Sequence, residues 1–320
     1  MMTGLRLMCT GSAPRLAVDT RYEASGCRLA EDISSTERDC GMRLPDFLAI
    51  GALKAGTTYL DSMLRDHPDL CLPATVKEVE FFTRHYERGP AWYARLFAAC
   101  DSRRAGEVSP QYLADRQCPA RIHDLMPEAR LLVSLRDPVQ RAYSQYKHWV
   151  QVSRYGGDFE QYLADHPGAI EEGRYFALLS RYLELFPAQQ LHMMMFEDLV
   201  SQPAQVMKGV FDFLGVDARH TPPPLGAANV STRPRFHRSY VGAKRASRWL
   251  YDRRGGGQIV GWAKRTGAAR LFGEKKAGAF APLSPGTAAR LGDVYREDVA
   301  MLSKLLDRDL LTKWELVTSR

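Results

Sequence analysis

The sequence predicts an α/β fold of three layers with a central, mostly parallel sheet, and two observations carry this prediction. From Leu44 onward, short apolar runs alternate with stretches of helical periodicity, as in sheets whose strands are joined by crossover helices. The chain has 320 residues, 45% of them hydrophobic, which is enough to bury the large core that such a fold requires. We therefore expect residues 44–320 to form one α/β domain.

Local patterns predict the elements in chain order. The short apolar runs predict five strands, at residues 47–52, 70–73, 106–110, 129–135 and 190–196. Helical periodicity predicts helices at residues 57–65, 91–99, 117–126, 138–154, 158–165, 173–186, 201–214 and 287–306. The first helix ends at His67-Pro68, because the proline ring disfavours helical geometry in the residue before it.

Composition bounds the remaining features of the chain. Residues 1–43 show no sustained period and mix Ser, Thr and Gly with charges, so we predict that they are mostly disordered. The six cysteines follow no metal-ligand spacing and are too sparse to indicate a disulfide framework, which favours a reducing compartment. The chain has no signal-peptide pattern and no apolar run of about 18 residues. We therefore predict a cytoplasmic protein without a transmembrane segment.

A phosphate-binding turn follows the first predicted strand. It reads Gly51-x-x-Lys54-x-Gly56-Thr57-Thr58 and leads directly into a helix. Backbone N–H groups at a helix start lack intrahelical partners and face the positive end of the helix dipole, and Lys54 adds a full charge. The lysine precedes the second glycine, so the order differs from the Walker A loop of ATP- and GTP-binding proteins. An ordinary helix cap is the alternative interpretation.

A second anion site is predicted where the fourth strand ends. Arg136 stands before Asp137-Pro138, and Ser144 follows on the helix that Pro138 begins, close to the face that points back to Arg136. An arginine and a hydroxyl suit a dianionic phosphate, because charge-assisted hydrogen bonds are about twice as strong as neutral ones. An Arg-Asp pair that caps the helix is the alternative. Two phosphate sites at neighbouring strand ends fit a nucleotide phosphorylated at both its 5′ and 3′ positions.

Four sequence blocks in this order carry a family resemblance. They are Gly51 to Thr58, Lys77-Glu-Val-Glu-Phe-Phe82, Gly106-Glu-Val-Ser-Pro-Gln-Tyr-Leu113, and Arg136-Asp-Pro through Ser144. Together they resemble bacterial sulfotransferases that use 3′-phosphoadenosine 5′-phosphosulfate (PAPS) and are related to the heparan sulfate N- and 3-O-sulfotransferases. The resemblance implies that Lys54, Ala55, Gly56, Thr57 and Thr58 bind the 5′-phosphosulfate, and that Arg136 and Ser144 bind the 3′-phosphate.

The resemblance also nominates Glu78 as the catalytic base, since it stands two residues before Phe81-Phe82. A carboxylate within hydrogen-bond reach can accept the proton of the acceptor, and Lys54 would stabilise charge on the leaving phosphate. A glutamate that merely pairs with Lys77 is the alternative for Glu78. Fixed cations can serve this reaction, so we expect no metal. Val108 stands where the animal heparan enzymes carry a lysine.

Two further residues have open roles in the sequence. Glu107, at the entrance to the Ser109-Pro110 segment, either shapes the acceptor pocket or makes structural hydrogen bonds. His67, between an aspartate and a proline, is expected to satisfy a turn rather than to act as a base. Phe81 and Phe82 are expected to anchor a loop in the core.

Residues 233–276 are the most basic part of the chain, with 13 lysines and arginines against two acidic residues. One interpretation is a lid of two amphipathic helices that draws anionic donor and acceptor into the cleft. A peripheral membrane contact and a solvated basic helix pair are the alternatives. We predict no nucleic-acid partner, because no recognised module accompanies the charge. Within this region Lys276 is a candidate phosphate contact by family resemblance.

The function predicted from the sequence is transfer of the sulfuryl group of PAPS to a hydroxyl, or secondarily an amine. The expected acceptor is a small-molecule, glycosylated or lipid-linked compound that is itself anionic, as in natural-product biosynthesis. A nucleotide kinase is the rival enzyme class; it is disfavoured by the missing Gly-Lys-Ser/Thr order and by the lack of an acidic magnesium ligand after an apolar strand. A non-catalytic PAP-binding protein is the third alternative.

Overall fold

A computed structural model of the chain describes residues 43–101, 103–153, 155–221, 232–234, 274–276 and 280–316. The predicted N-terminal extension, residues 1–43, lies outside the described residues except for Arg43. Most of the predicted basic lid, residues 233–276, lies outside them as well.

Five parallel strands form the central sheet in the spatial order β2-β3-β1-β4-β5. Their bounds are β1 Phe47–Gly51, β2 Leu70–Cys71, β3 Arg104–Val108, β4 Arg130–Leu135 and β5 Leu191–Met195. All five predicted strands are therefore confirmed. The β1/β3 register places Phe47 beside Gly106, where an added Cβ would lie 2.2 Å from the Phe47 ring, so only glycine fits there.

Helices cover both faces of this sheet. In the described part of the chain they are α1 Thr57–Asp66, α2 Phe81–Arg84, α3 Gly89–Ala94, α4 Cys118–Leu125, α5 Pro138–Ser153, α6 Phe159–Asp165, α7 Gly168–Glu171, α8 Tyr175–Leu183, α9 Phe196–Ser201, α10 Pro203–Leu214, α11 Pro285–Leu306 and α12 Leu310–Lys313. Short 3₁₀ turns cover Tyr86–Arg88, Arg95–Phe97 and Ala188–Gln190.

The predicted helix bounds need correction at two places. The expected helix at residues 91–99 is α3 followed by a 3₁₀ turn. The expected helix at residues 201–214 begins at Pro203, a residue that suits the first turn because it lacks a backbone N–H, while the residues before it form the separate helix α9. Helices α2, α7 and α12 have four residues each, too few to show a helical period.

Two cores lie on opposite faces of the sheet. Leu48 and Ile50 of β1 belong to one cluster, which includes buried residues of α4, α5, α6, α8 and α11. Phe47 and Ala49 belong to the other cluster, which includes the buried faces of α1 and α10. Alternate residues of a strand point to opposite faces, so this division confirms the predicted three-layer α/β fold.

A disulfide joins Cys71 and Cys100, with 5.4 Å between their Cα atoms. The expectation that the cysteines indicate no disulfide is wrong for this pair. Cys71 ends β2 and Cys100 shortly precedes β3, so the pairing of these two strands brings together residues that are 29 positions apart. Disulfides persist in oxidising environments, so cysteine usage no longer favours a reducing compartment. Cys118 is a buried free thiol.

The ends of the basic region form a short antiparallel ribbon. Strand β6, Thr232–Pro234, pairs with β7, Glu274–Lys276. The helices predicted between them lie outside the described residues. Within the described part of the chain, no helix has the length and apolar character needed to cross a membrane.

Candidate active site

A cleft of about 760 Å³ opens where β1, β3, β4 and β5 end. In parallel α/β sheets the loops at the carboxyl ends of the strands are the common site of ligand binding. The cleft brings together seven of the nine residues that the sequence nominated: Lys54, Gly56, Thr57, Thr58, Glu78, Arg136 and Ser144. Ala55 is fully buried beneath it, and its carbonyl accepts a hydrogen bond of 2.6 Å from the Ser134 hydroxyl. The side chain of Lys276 lies outside the described part of the structure.

The turn after β1 presents the start of α1 to the cleft. Gly56 precedes the helix in the left-handed conformation, with φ of 81°, and an added Cβ would lie 2.6 Å from the Phe196 ring. Glycine is required there on both grounds. Since Gly56 has no side chain to cap the helix, the first backbone N–H groups of α1 are left for an anion.

Lys54 stands in this turn with a φ of 65°. Burial lowers the pKa of Lys54, and the neighbouring charges of Lys77 and Arg136 act in the same direction while Glu78 opposes them. Three cations thus crowd one end of the cleft. An anion bound among them would offset their repulsion.

Arg136 lies beside the same turn. One of its terminal nitrogens donates to the Lys54 carbonyl at 3.2 Å, and its guanidinium lies 4.6 Å from the centroid of the Phe196 ring. Its Nε atom is buried and has no hydrogen-bond partner among the described residues. Burial lowers the pKa of Arg136, with the carboxylate of Glu197 opposing that effect. A guanidinium with an unused buried donor is suited to an anionic ligand.

The helix after β4 supports the second predicted anion site. The Asp137 carboxylate caps α5 by accepting from the backbone N–H groups of Val139 at 2.8 Å and Gln140 at 3.2 Å. Burial raises the pKa of Asp137 to about 6. The capping alternative is thus correct for Asp137, while Arg136 and Ser144, two turns along α5, both line the cleft.

Glu78 lies opposite, held at both carboxylate oxygens. Lys77 Nζ donates to its Oε1 at 3.1 Å and Gln111 Nε2 donates to its Oε2 at 2.6 Å. Lys77 Nζ also donates to the Thr58 hydroxyl at 3.0 Å. Gln111 was overlooked by the sequence reasoning, although it stands in the third block, because a single glutamine carries no pattern. Lys77 was considered only as an ion-pair partner of Glu78.

Comparison with known proteins assigns this chain to a family. The family model described as "Sulfotransferase domain" matches residues 44–227. The chain belongs to the sulfotransferase domain family. Heparan sulfate glucosamine 3-O-sulfotransferase 6 of Homo sapiens is 36% identical over 183 residues, which are 54% of this chain and 53% of that protein. Bifunctional heparan sulfate N-deacetylase/N-sulfotransferase 3 of Homo sapiens is 30% identical over 301 residues, 87% of this chain and 31% of that protein.

A solved structure supports the assignment to the sulfotransferase family. The crystal structure of a sulfotransferase from Alicyclobacillus acidocaldarius matches with a TM-score of 0.61 and 25% identity, covering 85% of this chain and 99% of that one. The chain spans about half of the first human relative and less than a third of the second. This chain therefore shares the family and the α/β fold of these sulfotransferases.

In this sulfotransferase domain Glu107 is a structural residue rather than part of the cleft wall. Its fully buried carboxyl accepts from the hydroxyls of Tyr93 at 2.9 Å, Tyr112 at 2.8 Å and Ser109 at 3.3 Å, and from the backbone N–H of Val79. Burial raises the pKa of Glu107 to about 7, although these hydrogen bonds oppose the shift. The Ser109 hydroxyl also accepts from the Glu80 N–H at 3.2 Å, so the network fixes the backbone beside Glu78.

Two other expectations are confirmed. His67 is buried, its Nδ1 accepts from the Asp69 N–H at 3.1 Å, and its Nε2 donates to the Asp217 carbonyl at 3.0 Å, so it satisfies a turn. Phe81 and Phe82 are fully buried in the first core cluster. Val108 packs in the second cluster, on β3.

The remaining wall of the cleft is formed mainly by α5 and α9. From α5 it includes Gln145, His148, Trp149, Val152 and Ser153, and from α9 it includes Phe196 and Val200. Trp149 is 37% exposed and Val200 46%, so each offers apolar surface at the rim. Among the described residues, no group of His, Cys, Asp or Glu could hold a metal ion.

Proposed function

We propose that this protein transfers the sulfuryl group of PAPS to a hydroxyl of an acceptor and releases PAP. The observation that carries this proposal is that two cationic sites, one at the start of α1 and one at Arg136 and Ser144, share a single cleft with the carboxylate of Glu78. Membership in the sulfotransferase domain family supports it.

In this proposal the two sites divide the donor between them. Lys54 and the loop through Ala55, Gly56, Thr57 and Thr58 bind the 5′-phosphosulfate, because lysine and the open N–H groups of α1 face the cleft there. Arg136 and Ser144 bind the 3′-phosphate, because both line the cleft and a guanidinium with a hydroxyl suits a dianion. Lys276 stays a candidate phosphate contact on the resemblance alone.

The reaction is an in-line displacement at sulfur. The acceptor oxygen attacks the sulfur atom and forms the new S–O bond, while the bond from sulfur to the 5′-phosphate oxygen breaks and its electron pair leaves with PAP. Glu78 takes the proton of the acceptor hydroxyl. Lys54 stabilises the charge that grows on the leaving oxygen, so its removal costs about a hundredfold or more in rate. The cations of the cleft supply this stabilisation, and we propose no metal.

The acceptor is proposed as a small-molecule, glycosylated or lipid-linked compound. The relatives are named for 3-O- and N-sulfation of heparan sulfate glucosamine or heparan sulfate, so an amine acceptor is the second choice after a hydroxyl. The exposed Trp149 surface on the cleft wall suits a ring. The basic residues of 233–276 favour an acceptor that is anionic, and a natural-product pathway completes the proposal.

A thermal-shift titration tests the donor site against its alternatives. Purified protein is titrated with PAP, ADP and ATP plus Mg²⁺, alongside Lys54→Ala and Arg136→Ala. A ligand at a hundred times its Kd stabilises the folded state by about 2.7 kcal/mol, which is a visible shift. Stabilisation by PAP that both variants lose supports the donor site; stabilisation by ATP-Mg²⁺ without PAP favours the nucleotide kinase instead.

Turnover separates an enzyme from a non-catalytic PAP-binding protein. The wild-type protein is incubated with PAPS and a panel of phenolic, glycosidic and amine acceptors, and release of PAP is followed with time. Glu78→Gln provides the control, since it keeps the shape of the side chain and removes the base. PAP binding with no turnover on any acceptor would favour the non-catalytic alternative.

A further inference from the structure

Lys77 connects the donor loop to the proposed base. Its ammonium group donates to the Thr58 hydroxyl at 3.0 Å and to Glu78 Oε1 at 3.1 Å. Thr58 belongs to the first turn of α1, at the end where the anion is expected. One side chain, with 27% of its surface exposed, therefore touches both halves of the proposed reaction centre.

The two contacts of Glu78 occupy part of its capacity to accept hydrogen bonds. Both carboxylate oxygens already accept hydrogen bonds, one from Lys77 and one from Gln111. A carboxylate oxygen has two lone pairs, so each oxygen of Glu78 keeps one site for a further donor. Withdrawal of either donor would give that oxygen a second free site for the acceptor hydroxyl.

Lys77 is the donor that is able to withdraw. Its ammonium is a compact charge on a flexible stem with three rotatable N–H groups, whereas the Gln111 amide also donates to Glu80 Oε1 at 3.2 Å and is thereby held in place. Lys77 also lowers the pKa of Lys54 through its charge, an effect that the carboxylate of Glu78 opposes. A sulfuryl group beside Thr58 would attract both ammonium groups.

We propose that Lys77 is a further donor-binding residue that binds the sulfuryl group of PAPS and, in doing so, releases Oε1 of Glu78. This inference rests on the proposed function. The Lys77 ammonium keeps its proton and exchanges one hydrogen-bond acceptor for another, and the freed Glu78 oxygen accepts the acceptor's proton. Both lone pairs of Oε1 of Glu78 are thus open to the acceptor hydroxyl only when the sulfuryl group is in place.

Because Lys77 contacts the sulfuryl group and not the nucleotide, it distinguishes PAPS from PAP. Isothermal titration calorimetry without any acceptor measures the Kd of each ligand for the wild-type protein and for Lys77→Met. We expect the Kd of PAPS to rise about tenfold or more in the variant, the range for a lost hydrogen bond to a charged group. The Kd of PAP should change by less than about twofold, because PAP has no sulfuryl group to accept a hydrogen bond from Lys77.

Arg84→Met is the matched control, because Arg84 is another cation of the cleft wall that pairs with Glu80 at 2.7 Å. It should leave the ratio of the two Kd values unchanged. Lys77→Arg, which keeps the charge, should restore part of the preference for PAPS. Circular dichroism of each variant before titration establishes that it is folded, and the exposure of Lys77 makes a folded variant the expected result.

Three outcomes of the titrations test the role of Lys77. A selective loss of PAPS affinity in Lys77→Met supports the inference. An unchanged ratio in Lys77→Met, or an equal change in Arg84→Met, overturns it while the proposed function stands. Failure of the wild-type protein to bind either ligand overturns the proposed function itself, so the two failures are distinguishable.

Discussion

Replacement of Glu107 by glutamine should change both the pH dependence of stability and the catalytic rate. In the folded protein burial raises the pKa of Glu107 to about 7, against an ordinary value of 4.5 for a glutamate. A carboxyl whose pKa is raised on folding contributes stability that is fully present below the unfolded pKa and is lost as the pH rises through the folded pKa. Between about pH 4.5 and pH 7 that loss amounts to about 3 kcal/mol as an upper bound.

Glutamine removes this titration but also disturbs the network. Its amide oxygen can still accept from the hydroxyls of Tyr93 and Tyr112, which both donate to Oε1 of Glu107. Its NH₂ group would then replace Oε2, the oxygen that accepts from the Ser109 hydroxyl at 3.3 Å, so that hydroxyl would lose its acceptor. A buried polar group that is left without its partner costs about 1–3 kcal/mol. The backbone next to Glu78 should loosen, so we expect kcat to fall while the Kd of PAP stays the same.

Urea unfolding at a series of pH values, followed by circular dichroism, measures the first effect. The free energy of unfolding of the wild-type protein minus that of Glu107→Gln should fall as the pH rises from 4.5 to 7. Other groups with raised pKa, such as Asp137, titrate in both proteins and cancel in this difference. Glu171→Gln, at an exposed position, is the control and should show no such slope. A difference that does not vary with pH would refute the reasoning.

Three further substitutions probe the cleft and its supports. Gly56→Ala should lower both the Tm and the affinity for PAP, because the added Cβ would lie 2.6 Å from the Phe196 ring. Gly89→Ala is the control for backbone strain alone, since Gly89 has a φ of 74° and its added Cβ would have nothing within 4 Å. Glu78→Gln should lower kcat by about 10²–10⁴-fold and leave the Kd for PAP unchanged. The kcat is measured as PAP release with an acceptor that the wild type sulfates, and equal rates for the two proteins would exclude Glu78 as the base. Cys71→Ser should lower the free energy of unfolding in urea by about 3–4 kcal/mol, since the disulfide closes a loop of 29 residues. The wild-type protein in reductant should lose the same stability, and a wild type unaffected by reductant would contradict the disulfide.

The sequence by itself determined the fold class and most of its elements. The five strands follow from short apolar runs, and the parallel sheet follows from the helices between them, because both signals are local and periodic. The turn from Gly51 to Thr58 was also predictable, since glycine, lysine and hydroxyl residues at a strand end have few other uses. Arg136 and Ser144 were nominated as cleft residues because Arg136 directly follows the fourth strand and Ser144 lies on the helix that begins next. All of these depend on residues that are near one another in the chain.

Only the tertiary structure decided which distant residues meet. The strand order β2-β3-β1 differs from the chain order, and it joins Cys71 to Cys100, Lys77 to Thr58, and Glu107 to Tyr93 and the Val79 N–H. Such contacts leave no period in the sequence, because each partner is a single residue whose neighbours follow other constraints. Burial likewise belongs to the folded state: Glu107 looks like any surface glutamate in the chain, and the core around it is what raises its pKa and makes it a support of the site.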